Sequence, residues 1–172
     1  FFPIKGILVI CDRDKEKYWS LPGANNKEYV QTNPSWSPDG ETLLFARAEA
    51  IPREESGFRD AFDKDTAVFN DLADEFVLEG REFKYDVYKI PFNDGKGGAP
   101  EPLACASGND MSNYFPRMSP DGKWIVFTRA ENFMLLQPDS KLYITSRNGK
   151  EARLMNCNTS NMNSWHSWSP NS

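Results

Sequence analysis

The single histidine of this chain, His166, is flanked by Trp165 and Ser167 in the C-terminal stretch SWHSW. An imidazole can hold a metal ion, transfer a proton or accept a hydrogen bond near neutral pH. The sequence has no second histidine and shows no evident carboxylate partner, so His166 does not form a catalytic or metal-binding cluster by itself. Its chemistry therefore depends on which residues the fold brings beside it.

Three Ser-Pro pairs reveal a sequence repeat, from which the residues that lie beside His166 can be predicted. The pairs begin at Ser37, Ser119 and Ser169, and are thus separated by 82 and 50 residues. The difference equals the 32 residues of an acidic segment, 51–82, and without that segment the chain repeats after about 50 residues twice. A repeat of this length is typical of β-propellers, in which four-stranded units are arranged around a central channel.

The repeat aligns Ser35, Arg117 and Ser167, each of which lies two residues before a Ser-Pro pair. His166 stands where the other two copies have proline. Because the first strand of each propeller unit lines the channel, we expect these four residues and Trp165 to face it and to contribute to a ligand or ion site. The alternative is that His166 only makes hydrogen bonds between neighbouring units.

A Pro-Asp-Gly turn follows the serine in two of the copies. Proline fixes its own φ, aspartate bonds to the backbone that follows, and glycine takes a positive φ at no steric cost. Apolar or alternating strands come after each turn, which predicts four antiparallel strands per unit. The predicted fold class is all-β, a partial β-propeller formed by an arc of such units, with one short helical insertion. The predicted strands after the turns are 42–48, 85–92 and 101–104, and then 124–130, 141–147 and 152–156.

The repeat also predicts how the chain is divided. Residues 1–32 are the end of one unit, 33–112 are a unit that contains the insertion 51–82, 113–162 are a second complete unit, and 163–172 are the first strand of a further one. The insertion has apolar residues at helical spacing between Val68 and Val77, and ten acidic against four basic residues. We expect its helix either to cover its own unit or to dock another chain.

Other residues at repeated positions are expected to be structural. Arg47 and Arg129 end equivalent second strands, and we expect each to form an ion pair. We expect the aromatic residues at repeated or adjacent positions to pack in the core: Trp36, Trp165, Trp168, Phe45 and Phe127.

The stretches PSWSPDGETLLFARA, PRMSPDGKWIVFTRA and HSWSPNS resemble the PD40 repeat, the WD40-like repeat of TolB-type propellers, and are most similar to PD40 proteins of the Bacteroidetes. This resemblance implies a non-enzymatic scaffold that binds a protein or a glycan in the periplasm or elsewhere outside the cytoplasm. It also allows an alternative, the propeller portion of a larger enzyme. That enzyme would be a prolyl-oligopeptidase-type peptidase or a carbohydrate-active lyase, with its catalytic residues outside this chain.

Composition and motifs exclude several function classes. A net charge of −5 argues against a nucleic-acid-binding surface, and the longest apolar runs are too short to cross a bilayer. No G-x-S-x-G, H-E-x-x-H, phosphate-binding loop or paired-cysteine motif is present, so we expect no cofactor, metal or catalytic residue in this chain. The chain lacks an initiator methionine and ends at the third Ser-Pro pair. We therefore expect it to be part of a longer protein, or to associate with itself through open strand edges.

Overall fold

A computed structural model describes residues 5–51, 79 and 81–171 of the chain. The described residues form strands and two short 3₁₀ turns, at Asn93–Gly95 and Ala104–Ala106, and include no α-helix. The helix predicted within 51–82 lies outside the described residues. The strands are β1 (Val9–Asp12), β2 (Lys17–Ser20), β3 (Tyr29–Trp36), β4 (Thr42–Glu49), β5 (Asp86–Pro91), β6 (Glu101–Pro102), β7 (Ser112–Met118), β8 (Trp124–Ala130), β9 (Lys141–Ser146) and β10 (Ala152–Leu154).

The strands form two four-stranded sheets and one hairpin. The first sheet has the order β3-β4-β5-β6, the second has the order β7-β8-β9-β10, and β1 pairs with β2. Every pair of neighbouring strands is antiparallel. This arrangement confirms the predicted all-β class with four antiparallel strands in each sheet.

The first strands of the two sheets extend several residues upstream of their prolines. β3 begins at Tyr29 and β7 at Ser112, because the residues before each proline already pair with the far ends of β4 and β8. The segment 163–170 has no strand assigned to it. Its role as the first strand of a further unit, and the unit boundaries at 33, 113 and 163, stay predictions.

One unusual backbone conformation recurs four residues before each Ser-Pro serine. Asn33, Phe115 and Trp165 have φ values of +53°, +51° and +58°. Non-glycine residues rarely adopt this left-handed region, so its recurrence at equivalent positions is informative. The registers of β3 with β4 and of β7 with β8 shift at this point, which is a β-bulge. The third copy therefore shares this left-handed residue with the other two, although it forms no strand.

The Ser-Pro-Asp-Gly turns are closed by hydrogen bonds that the serine side chain organises. Ser119 Oγ donates to Asp121 Oδ1 at 2.6 Å and accepts from the Trp124 amide at 2.9 Å, and Asp121 Oδ1 also accepts from the Lys123 amide at 3.1 Å. Gly122, with φ of +71°, donates to the Ser119 carbonyl. The first turn repeats the same set of bonds from Ser37.

These bonds stabilise the charged form of each turn aspartate. The Ser119 hydroxyl, followed by the Lys123 amide, lowers the pKa of Asp121 to about 2. The Ser37 hydroxyl lowers the pKa of Asp39 further, with help from Arg147, whose Nη2 lies 2.8 Å from Asp39 Oδ2. Since Arg147 follows β9, this ion pair links the first turn to the second sheet.

Apolar packing covers both faces of the first sheet. Leu43, Phe45 and Ile90 pack against the β1–β2 hairpin through Leu8, Leu21 and Ala24. On the opposite face, Leu44, Val87 and Leu103 pack against residues of the second sheet, namely Met118, Ile125 and Phe127. The run of apolar residues in β4 is explained by this burial, since its side chains on both faces exclude water.

We predict that Ser119→Ala lowers the free energy of unfolding by about 1–3 kcal/mol, because it leaves the Trp124 amide without its acceptor and removes a donor to Asp121. Urea denaturation with matched m-values would measure the change. The exposed Ser160→Ala is the control and should change the free energy by less than about 0.5 kcal/mol. Equal stabilities for the two variants would show that the serine does not organise the turn.

Candidate functional site

The inner edges of the sheets and the C-terminal segment lie next to one another. Ser35 Oγ on β3 donates to the Pro116 carbonyl on β7 at 2.6 Å. The indole Nε1 of Trp168 donates to the Arg117 carbonyl at 3.1 Å. β3, β7 and the segment 163–168 thus form a row joined by side-chain to backbone hydrogen bonds.

The five predicted site residues differ in their exposure to solvent. Ser35 is buried, and its hydroxyl is used in the contact between the sheets. Arg117, Trp165 and Ser167 are exposed, and His166 is half-buried beside them. Four of the five residues are thus exposed or partly exposed, Arg117 lies close enough to His166 to affect its protonation, and Ser35 is buried in the contact between the sheets. We call Arg117, Trp165, His166 and Ser167 the inner surface.

Trp165 is the most prominent side chain of the inner surface. Its side chain is 65% exposed, and its ring centroid lies 4.6 Å from that of Phe115 with an interplanar angle of 34°. Both residues occupy the left-handed bulge position of their copies. The bulge therefore directs two equivalent aromatic side chains of neighbouring segments against each other, and one face of the indole contacts protein.

His166 is anchored through one ring nitrogen. Its Nε2 lies 3.0 Å from the carbonyl oxygen of Val126, and because a carbonyl only accepts, Nε2 carries the proton. The bond joins the C-terminal segment to the second sheet, as the structural interpretation of His166 predicted. Nδ1 is buried, has no hydrogen-bond partner among the described residues and is the acceptor nitrogen of the neutral ring.

Burial lowers the pKa of His166, and the positive charge of Arg117 lowers it further. The carbonyl of Val126 raises the pKa because it favours the protonated ring. The backbone of Phe115 also raises the pKa, although its geometry is too poor for an ordinary hydrogen bond. His166 is therefore mainly neutral at neutral pH.

Two of the predicted core tryptophans are not core residues. Phe45 and Phe127 are fully buried, as expected, but Trp36 is 48% exposed and Trp165 is 65% exposed. Trp36 lies at the end of β3, the edge strand of its sheet, and packs edge-on against Phe92 at 4.8 Å. The repeat identifies equivalent positions correctly, but burial depends on which neighbour covers each one.

The two equivalent arginines also differ from expectation. Within the described part of the chain neither forms an ion pair; each stacks on aromatic rings instead. The Arg47 guanidinium lies 3.4 Å from the ring centre of Tyr29 and 4.8 Å from that of Tyr88. Arg129 lies 4.3 Å from the ring centre of Tyr143.

A sequence signal for this stacking exists. Tyr88 pairs with Phe45 and Tyr143 pairs with Phe127, so each tyrosine sits on the sheet face that carries the arginine two residues later. The F-x-R pattern in the second strand and the tyrosine in the third together indicate an arginine stacked on a ring.

The described residues hold no group of three or more histidine, cysteine or acidic side chains that could bind a metal ion. Among the described helical turns, none has the length and hydrophobicity to cross a bilayer.

A solved structure from Agrobacterium tumefaciens, described as a TolB protein, superimposes on this chain with a TM-score of 0.54. The match covers 87% of this chain at 16% sequence identity. The fold is that of a TolB-like β-propeller. The match covers 43% of the A. tumefaciens chain, so this chain spans less than half of that protein's length. No family model and no curated protein matches the sequence.

Because His166 is the only histidine, its protonation can be followed through stability. Its pKa in the folded state lies below the ordinary value of 6.5, so the unfolded chain takes up a proton that the folded chain does not. We predict that the free energy of unfolding is fully maintained above about pH 6.5 and falls as the pH decreases below it.

The comparison is urea denaturation of wild type and His166→Gln between about pH 7.5 and about pH 5. The variant, which retains an N–H donor, should lose this part of the pH dependence. An identical slope in both proteins would contradict the assignment.

Proposed function

We propose that this chain is part of a non-enzymatic propeller whose inner surface binds a protein or glycan partner. The observation that carries this proposal is the exposed indole of Trp165, held against Phe115, together with the exposed Arg117, whose charge acts on the neighbouring His166. Large exposed aromatic side chains next to arginine are typical of binding surfaces, because they combine apolar area with directional donors.

One further group of the inner surface complements this pair. The hydroxyl of Ser167, which can donate and accept, lies on the exposed side of the same segment. A ligand with a ring face, an anionic or acceptor group and a donor would use all of them. Saccharides and the side chains of a protein partner both have this chemistry.

The location of the protein belongs to the same proposal. The TolB-like fold supports a periplasmic or otherwise extracytoplasmic protein, since the resemblance extends over most of this chain.

A second candidate is the propeller portion of a larger enzyme. This candidate requires catalytic residues outside this chain, and the matched part is less than half of the solved TolB-like chain. A G-x-S-x-G motif encoded downstream in the complete gene would support a peptidase. Further histidines at the equivalent of position 166 in other units would support a lyase.

The binding proposal is tested by photocrosslinking. A benzoylphenylalanine placed at position 167 should crosslink a partner in a periplasmic extract or an oligosaccharide on an array, whereas the same residue at position 160 should not. The crosslink should decrease about tenfold in Trp165→Ala and Arg117→Ala backgrounds, because each removes a central contact. Trp124→Ala removes a tryptophan of 43% exposure from the start of β8 and is the matched control. Unchanged crosslinking in Trp165→Ala, or equal crosslinking from position 160, would contradict the proposal.

A further inference from the structure

A pocket of about 440 Å³ opens where β4 ends and the chain re-enters the first sheet. We call it the Arg47 pocket. Its base is the guanidinium of Arg47 between the rings of Tyr29 and Tyr88. The other lining residues are Ala48, Glu49, Glu82, Phe83, Lys84 and Asp86.

The guanidinium of Arg47 has ring contacts but no hydrogen bond within the described part of the chain. Its Nε is buried and has no acceptor. An arginine has five N–H donors in a planar fork, and leaving a buried one unpaired costs free energy. The two tyrosine rings therefore hold in place a cation whose Nε–H has no acceptor among the described residues.

The equivalent arginine of the second sheet, Arg129, donates hydrogen bonds to other residues of the protein. Arg129 Nε donates to Asn113 Oδ1 at 2.8 Å, and Nη2 donates to the Cys105 carbonyl at 2.5 Å. In the first sheet Gln31 takes the place of Asn113, pairs with Arg47, and turns its amide nitrogen to two backbone carbonyls near the N-terminus. Its own Oε1 is buried without a partner. The same position is thus structural in one sheet and open in the other.

Charges around the pocket restrict what Arg47 can bind. Lys84 is neutralised within the protein by ion pairs with Glu82 and with Asp110, the latter at 2.7 Å. The carboxylate of Glu49 is exposed. Asp86 accepts a hydrogen bond from the Gly108 amide, and burial raises the pKa of its carboxyl group. Among the described lining residues, Arg47 is thus the cation without an ion pair, and Glu49 and Asp86 are the carboxylates without one.

We propose that the Arg47 pocket binds a small zwitterion of the amino-acid type, with its carboxylate on the Arg47 guanidinium and its ammonium group toward Glu49 and Asp86. Arginine and carboxylate match in planar, two-bond geometry, which is among the strongest polar contacts in proteins. An anion without a positive group would lie close to two carboxylates and be repelled by them. A cation without a carboxylate would leave the Arg47 donors unpaired.

The experiment compares three probes that differ only in charge: L-leucine, its decarboxylated analogue 3-methylbutylamine and its deaminated analogue 4-methylpentanoate. Each is titrated into the full ¹⁵N-labelled chain while the side-chain Nε–H resonance of Arg47 and the backbone amides of β4 are followed. We expect L-leucine to shift these resonances and the two analogues to bind about tenfold more weakly or not at all.

Two variants test the proposed contacts at the carboxylate end and at the ammonium end of the ligand. Arg47→Met retains an unbranched side chain for the tyrosine rings and should reduce L-leucine affinity at least about tenfold. Glu49→Gln alters an exposed side chain, keeps the fold and should also reduce it. Arg129→Met is the matched control, since its donors are used inside the protein; it should lower stability but leave affinity unchanged.

Several outcomes would overturn the proposal. They are the absence of shifts with L-leucine, equally tight binding of 4-methylpentanoate, and unchanged affinity in Glu49→Gln. Loss of L-leucine binding by the Arg129→Met variant, under conditions in which that variant is still folded, would also overturn it. If Arg47→Met does not fold, Glu49→Gln and the probe series still decide the question.

Discussion

Leu44, Met118 and Phe127 meet between the two four-stranded sheets, where neither sheet could exclude water alone. Burying a side chain of this size contributes roughly 1.5–3 kcal/mol, and the β4 side chains are buried on both faces of their sheet. A flat antiparallel sheet with one covered face would show alternating polar residues in its central strand. When other layers cover both faces of a sheet, its central strand can be apolar throughout, as in the runs TLLFARA and WIVFTRA. The same stacking fixes the positions of the segments that are attached to the sheets.

The inner row of segments is a consequence of the same stacking. The strands β3 and β7 and the C-terminal segment each contain a left-handed residue, at Asn33, Phe115 and Trp165, and the first two are followed by proline, which cannot donate to the ladder. The resulting bulges turn side chains toward the neighbouring segment. Stacking of Trp165 on Phe115 and the hydrogen bond of His166 to Val126 both lie where the bulges bring the segments together.

Sequence reasoning was accurate where one residue type has one physical role. Turn chemistry located the Ser-Pro-Asp-Gly corners, and continuous apolar runs located β4 and β8. It was wrong for Trp36 and Trp165, since the exposure of an aromatic side chain depends on a neighbouring segment and not on the repeat. It was also wrong for Arg47, because tyrosines on adjacent strands compete with carboxylates for a guanidinium, and that competition is decided by cross-strand register. Nothing in the sequence distinguishes Arg47, whose Nε has no acceptor among the described residues, from Arg129, whose Nε donates to Asn113.

The most direct test of the account is residue-resolved hydrogen exchange of the full chain under native conditions. If both sheets depend on mutual burial, the amides of β4 and β8 should be the slowest to exchange. They should share one free energy of opening, and Phe127→Ala should lower it for both strands by about 3–5 kcal/mol. Slow exchange in β4 with fast, independent exchange in β8, or an effect of Phe127→Ala confined to the second sheet, would contradict the claim that the two sheets stabilise each other.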